Sequence, residues 1–123
     1  MARLVIAEDA PHILRLLEMT VRKAGHVWTP CTTGDAALAA VRADKPDVAI
    51  LDIVMPGMDG FAVLAALKQD PATAGIPVII LTARGHTLTR QQAEESGAAA
   101  FLTKPFSPTE LLATITELTK RKS

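Results

Sequence analysis

Cysteine is nearly absent. Cys31 is the only one in 123 residues, so no disulfide can form within the chain, which fits a reducing compartment. Excess charge is absent too, because 13 lysines and arginines balance 13 aspartates and glutamates. That balance argues against a surface built for nucleic acid or for an acidic membrane. No apolar run approaches the roughly 20 residues needed to cross a bilayer. The opening MARLVIAED holds one arginine and a short apolar stretch that meets two acids, which is not the layout of a secretory leader. A glycine-rich nucleotide loop is missing as well, since Gly57 and Gly60 flank Met58-Asp59 without the dinucleotide-binding spacing. Repeats and low-complexity segments are not found. These absences point to a cytoplasmic protein with no membrane and no direct nucleic-acid partner.

What is present is an ordinary globular composition, 49% hydrophobic and 21% charged, long enough for one domain with its own core. Three apolar runs stand out: LVIA at 4–7, VAIL at 48–51 and VIIL at 78–81. They are continuous rather than alternating, as in parallel strands covered on both faces. Weaker strand candidates are 27–31 and 99–103. Between the runs, apolar residues recur at helical spacing: Ile13, Leu14, Leu17 and Val21; Ala37, Leu38 and Val41; Val63, Leu64 and Leu67; Leu111, Leu112, Ile115 and Leu118. Pro11 suits a first helical turn and Gly25 a helix stop. Asp59-Gly60 is placed to cap the helix beginning at Phe61, and Ser107-Pro108-Thr109-Glu110 reads as a capping box. Strands alternating with helices predict an α/β domain with a parallel sheet and right-handed crossovers. Pro30 cannot donate to a sheet ladder, so the second strand is expected at an edge.

Ligands of such sheets gather beyond the carboxyl ends of the strands. Here the first strand runs into Glu8-Asp9, the third into Asp52, the fourth into Thr82 and the fifth into Lys104. Each has an ordinary reading alone: Glu8 and Asp9 as helix caps, Asp52 as the start of a turn with Pro56 and Gly57, Thr82 as a strand-end hydroxyl, Lys104 as a surface charge. Their shared placement argues for a site. Crowded carboxylates repel unless a cation joins them, and a few hard oxygen donors suit Mg²⁺. A cation, an ammonium, a hydroxyl and a free carboxylate together can hold a phosphoryl group on that carboxylate.

The segments VIAED at 5–9, LDIVMPGMDG at 51–60, VIILTA at 78–83 and FLTKPF at 101–106 resemble, in order and spacing, those of a response-regulator receiver domain of the single-domain, chemotaxis-regulator-like kind. The resemblance covers essentially the whole chain. It implies a flavodoxin-like (βα)5 three-layer sandwich with a parallel five-stranded sheet of order 2-1-3-4-5. It implies that Asp52 accepts a phosphoryl group from a sensor histidine kinase or a histidine phosphotransfer protein. Asp9 and Asp52 would then ligate Mg²⁺ with the backbone carbonyl of Val54, Glu8 would help through water, and Lys104 would contact the phosphoryl oxygens. The Lys104–Pro105 bond would be cis. Thr82 and Phe101 would form a switch pair, with Phe101 turning from exposed toward buried. The altered surface, made by a helix near 88–96, the last strand and the last helix, would meet a downstream protein target.

Some positions depart from the family's habit. Phe101 stands where tyrosine is frequent, which removes a hydroxyl from any partner contact. Val54 and Arg84, two residues beyond Asp52 and Thr82, lie where family members vary and tune phosphoryl lifetime. An apolar Val54 cannot orient a hydrolytic water, so slow self-dephosphorylation is expected. His12, His26 and His86 share no metal-ligand spacing and read as surface histidines, Cys31 as a small core residue, and Trp28 as packing at the edge strand. The chain over 1–123 is expected to be a single receiver domain without an output domain, and a signalling switch rather than an enzyme. The alternative reading is a metal-dependent phosphatase using an aspartyl-phosphate. Such enzymes usually carry the nucleophile on the first strand with a second acid two residues later, where this chain has Val54. A flavin-binding relative would need a Ser/Thr/Gly phosphate cradle after the first strand, and none follows.

Overall fold

The computed structural model describes residues 2–82 and 95–120. In chain order the elements are β1 (Arg3–Ala7), α1 (Pro11–Lys23), β2 (Val27–Cys31), α2 (Gly34–Asp44), β3 (Val48–Asp52), α3 (Gly60–Gln69), β4 (Val78–Thr82), β5 (Ala100–Thr103) and α4 (Pro108–Lys120). The strands form one sheet of order β2-β1-β3-β4-β5, and every pairing is parallel. The expected doubly wound sandwich is therefore the observed one. Residues 88–94 of the anticipated helix, with Arg84 and His86, lie outside the described residues.

The continuous apolar runs follow from a sheet covered on both faces, since successive side chains on a strand point to opposite sides. Val5, Ala7, Ala49, Leu51, Val78 and Ile80 pack with residues of α2 and α3. The residues between them, Leu4, Ile6, Val48, Ile50, Ile79 and Leu81, pack with α1 and α4. β3 and β4 are consequently buried along their whole length. β2 pairs only with β1 and is mostly exposed or half-buried, so Pro30 sits at an edge where its missing donor is tolerated.

The helix ends obey local chemistry. Pro11 occupies the start of α1, and Gly25 ends it at φ 85°. There the Gly25 amide donates to Arg22 O at 3.0 Å and the His26 amide to Val21 O at 3.1 Å, the paired bonds of a Schellman stop. Thr33 caps α2, Asp59 caps α3 by accepting the Ala62 amide at 2.8 Å, and Ser107 caps α4 by accepting the Glu110 amide at 3.2 Å.

Candidate functional site

Parallel pairing brings all the strand ends to one rim, and the ladders continue slightly past the strands. The Glu8 amide donates to Cys31 O at 3.0 Å, the Ile53 amide to Leu81 O at 3.2 Å and the Lys104 amide to Thr82 O at 2.7 Å. These bonds hold Glu8, Asp52 and Lys104 together at the sheet's centre. Lys104 Nζ lies 2.8 Å from Glu8 Oε1 and 3.0 Å from Asp52 Oδ2. One carboxylate oxygen each from Glu8, Asp9 and Asp52 falls within 4.8 Å of the others. Glu8 is fully buried, Asp52 is 4% exposed, and Asp9 faces solvent.

The acids are not fully used in holding the fold. Ala10, the N-cap of α1, has no side-chain cap, so Glu8 and Asp9 do not play that part. Among the described residues, Glu8 Oε2 accepts only the neighbouring Ala10 amide, at 3.2 Å. Glu8 Oε1 meets the Lys104 ammonium at 2.8 Å as an ion pair and has no other polar partner among the described residues. Burial raises the Glu8 pKa and the Asp52 carboxylate adds to the rise, while Lys104 and the Ala10 amide only partly oppose it. Burial alone would lower the pKa of Lys104, but contact with Glu8 and Asp52 outweighs it, so the ammonium is held charged. Three clustered acids with one ammonium leave negative charge to be met. The donor set is all carboxylate oxygen, and among the described residues the one ammonium beside Glu8 Oε1 is shared with Asp52. Both observations fit a small hard divalent cation such as Mg²⁺.

The other anticipated residues surround this cluster. Thr82 is buried at the end of β4, beside Thr103 in the ladder. Phe101 pairs in register with Ile80 and is half-buried, its ring centroid 6.4 Å from that of Phe61 at 41°. It therefore already leans on the core rather than standing free. The side chain of Val54 is 68% exposed in the loop after β3. The Lys104–Pro105 bond is cis, as the resemblance implied.

Two features were not anticipated. Gly60 donates its amide to Ile53 O at 2.8 Å, and a Cβ there would fall on the carbonyl oxygen of Asp52, so the start of α3 lies flush against the strand end carrying the acid. The only sequence signal for this was the Asp-Gly pair at a helix start. His26 is only partly at the surface. It is half-buried, and its Nδ1 accepts the Ala2 amide at 2.9 Å. His12 is exposed as expected, Cys31 is buried, and Trp28 packs against the core with Nε1 donating to Glu18 Oε2 at 2.8 Å.

Comparison with known proteins agrees with this architecture. The family model for the response regulator receiver domain matches residues 4–116. The chain is 41% identical to response regulator PleD of Caulobacter vibrioides over 98% of its own length, but spans only 27% of that protein. It is 38% identical to Protein PilH of Pseudomonas aeruginosa, covering 94% of this chain and 95% of that one. Among solved structures, the Francisella response regulator 1452 receiver domain superposes with a TM-score of 0.91 at 30% identity, covering 100% of both chains. Chemotaxis response regulator CheY4 of Vibrio cholerae superposes with a TM-score of 0.86 at 30% identity, covering 96% of this chain and 98% of that one. The aspartyl-phosphate phosphatase is not favoured beside these matches. With its acids gathered on the third strand and the first, and with the family model spanning nearly its whole length, the chain belongs to the response regulator receiver domains of two-component systems.

Proposed function

We propose that Asp52 is the phosphoacceptor of a two-component phosphorelay. The observation that supports this most directly is the Lys104 ammonium lying within 3.0 Å of Asp52 and 2.8 Å of Glu8 beside a clustered acidic triad. An Asp52 carboxylate oxygen attacks phosphorus as the phosphorus–nitrogen bond of a partner's phosphohistidine breaks. Asp9, Asp52 and the Val54 carbonyl would hold Mg²⁺, with Glu8 contributing through water. When bound, such a cation would supply positive charge to the transferring phosphoryl oxygens. Lys104 supplies a second, fixed positive charge to those oxygens.

Modification places new charge and new acceptor oxygens beside Thr82. The Thr82 hydroxyl turns toward them, and Phe101 follows into the space it leaves. Moving such an equilibrium from about 1:99 to 99:1 needs roughly 5.5 kcal/mol of differential stabilisation. Two or three charge-assisted hydrogen bonds at about 1.5–3 kcal/mol each supply it. The output is a change of protein contacts on the surface of β5, α4 and the segment near 88–96. The chain then acts as a cytoplasmic switch that assists only its own phosphorylation and dephosphorylation. Balanced charge supports a protein target over a nucleic acid.

Incubation with Mg²⁺ and acetyl phosphate, followed by intact mass measurement, tests the reading. The expected result is the gain of one phosphoryl group in the natural chain and none in Asp52→Ala. A gain that survives Asp52→Ala would place the acceptor elsewhere.

A further inference from the structure

The loop after Asp52 runs from Ile53 to Asp59, between β3 and α3. One end is pinned by Gly60, as described. Its middle is pinned from another direction, by the first turn of α2. The Gly34 amide donates to Pro56 O at 3.2 Å. A Cβ on Gly34 would collide with the carbonyl oxygen, the carbonyl carbon and the Cβ of Met58. Two of those atoms are backbone and cannot swing aside as a side-chain tip does. Gly57, at φ 77°, lies against the Asp35 carboxylate in the same contact. Thr33 Oγ1 accepts the Ala36 amide at 3.1 Å and sets where the helix begins. Met55 is buried in one core with Ala37 and Val41 and ties the loop to the body of α2.

We infer that Gly34 is a positioning residue for the cation site: its lack of a side chain lets α2 press on the backbone of 56–58 and so places the Val54 carbonyl. This rests on the assignment of that carbonyl as a ligand, made above. A side chain at position 34 must push the loop outward or tilt the helix. Glu8, Asp9, Asp52 and Lys104 are carried by strands and their ends, away from this contact. The expected damage is therefore to cation affinity rather than to transfer at Asp52.

Calorimetric titration with Mg²⁺ and phosphorylation by acetyl phosphate across Mg²⁺ concentrations separate the two. Gly34→Ala is expected to bind Mg²⁺ about tenfold more weakly, the scale on which supporting contacts of metal sites act. Its phosphorylation rate should return to the natural value at saturating Mg²⁺. Ala39→Gly, which loosens the interior of α2 at an exposed position outside the core shared with Met55, should lower the urea midpoint and leave Mg²⁺ affinity unchanged. Unchanged affinity in Gly34→Ala, or equal weakening in both variants, overturns the inference. A natural chain that binds no Mg²⁺ and gains no phosphoryl group overturns the proposed function instead, and this inference with it.

If Gly34→Ala does not fold, amide hydrogen exchange in the natural chain gives the answer. Saturating Mg²⁺ should slow exchange of the Gly34 amide severalfold relative to Val41 in the same helix, because what the loop gives the cation, the cation returns to the loop. Equal change at both amides, or none, rejects the coupling.

Discussion

At the amino ends of the strands, Asp47 Oδ2 accepts the Arg3 amide at 2.8 Å and His26 Nδ1 accepts the Ala2 amide at 2.9 Å. Both are directed hydrogen bonds, and neither acceptor residue is fully buried. At the carboxyl ends, two acids are almost fully buried and both share one ammonium. Each rim carries an aspartate, but only at the carboxyl rim do two nearly fully buried acids share one ammonium. Burying charge is expensive unless a partner meets it. A rim that tolerates this is shaped for something that arrives later, whereas the opposite rim is shaped only to close the fold.

The largest expected effect tests that contrast directly. Lys104→Met leaves two buried carboxylates without their ammonium and should lower stability by about 3 kcal/mol, the low end of the range for breaking a buried pair. The low end applies because the Lys104 side chain is 16% exposed. Asp47→Ala removes one bond to an exposed amide and should lower stability by about 1 kcal/mol. Urea unfolding without divalent cations compares them, and equal losses would erase the difference between the rims.

Mg²⁺ sharpens the contrast from the other side. At 100 times its dissociation constant, a ligand that binds only the folded chain adds about 2.7 kcal/mol. The thermal midpoint of the natural chain and of Asp47→Ala should therefore rise by several degrees. In Asp9→Ala the rise should disappear. A rise in Asp9→Ala as large as in the natural chain would locate the cation elsewhere.

The third effect is on rate. Val54 is 68% exposed, within reach of water but unable to orient it. Replacing it by asparagine offers one hydrogen bond worth about 0.5–1.5 kcal/mol, so phosphoryl decay in Val54→Asn should quicken about 2- to 10-fold. Decay that is unchanged or slower would mean that this side chain does not tune the lifetime.

The sequence was most legible where one local rule decides the outcome. VAIL and VIIL became fully buried central strands because unbroken apolar runs need two covered faces. Pro30 found the edge because it lacks a donor, and Gly25 and Asp59 found helix ends because their backbone and side-chain chemistry suits them. The acids and the lysine were legible as a set because parallel strands deliver their ends to one rim. Close approaches between segments distant in sequence were not legible. Gly34 is bare because Met58 lies opposite, and nothing within a few residues of Gly34 announces Met58. The half-buried state of Phe101 likewise depends on Phe61, forty residues earlier and on another element. His26 looked like a surface residue because only the fold brings the Ala2 amide to its ring.

His26 gives the smallest expected effect, and it belongs to the rim that only closes the fold. Burial lowers its pKa below the ordinary histidine value, and protonating Nδ1 would remove the acceptor that the Ala2 amide uses. The unfolded chain therefore binds this proton more readily than the folded one. Stability from this group is complete above the unfolded pKa, near 6.5, and falls away as pH drops through the lower folded value. The urea midpoint of the natural chain should decline slightly across that acidic window. The difference between the natural chain and His26→Phe isolates this one group. The variant should be less stable at neutral pH, having lost the acceptor, and should show a flatter decline on acidification. Parallel declines would mean that His26 titrates alike in both states and that the Ala2 amide does not depend on its ring.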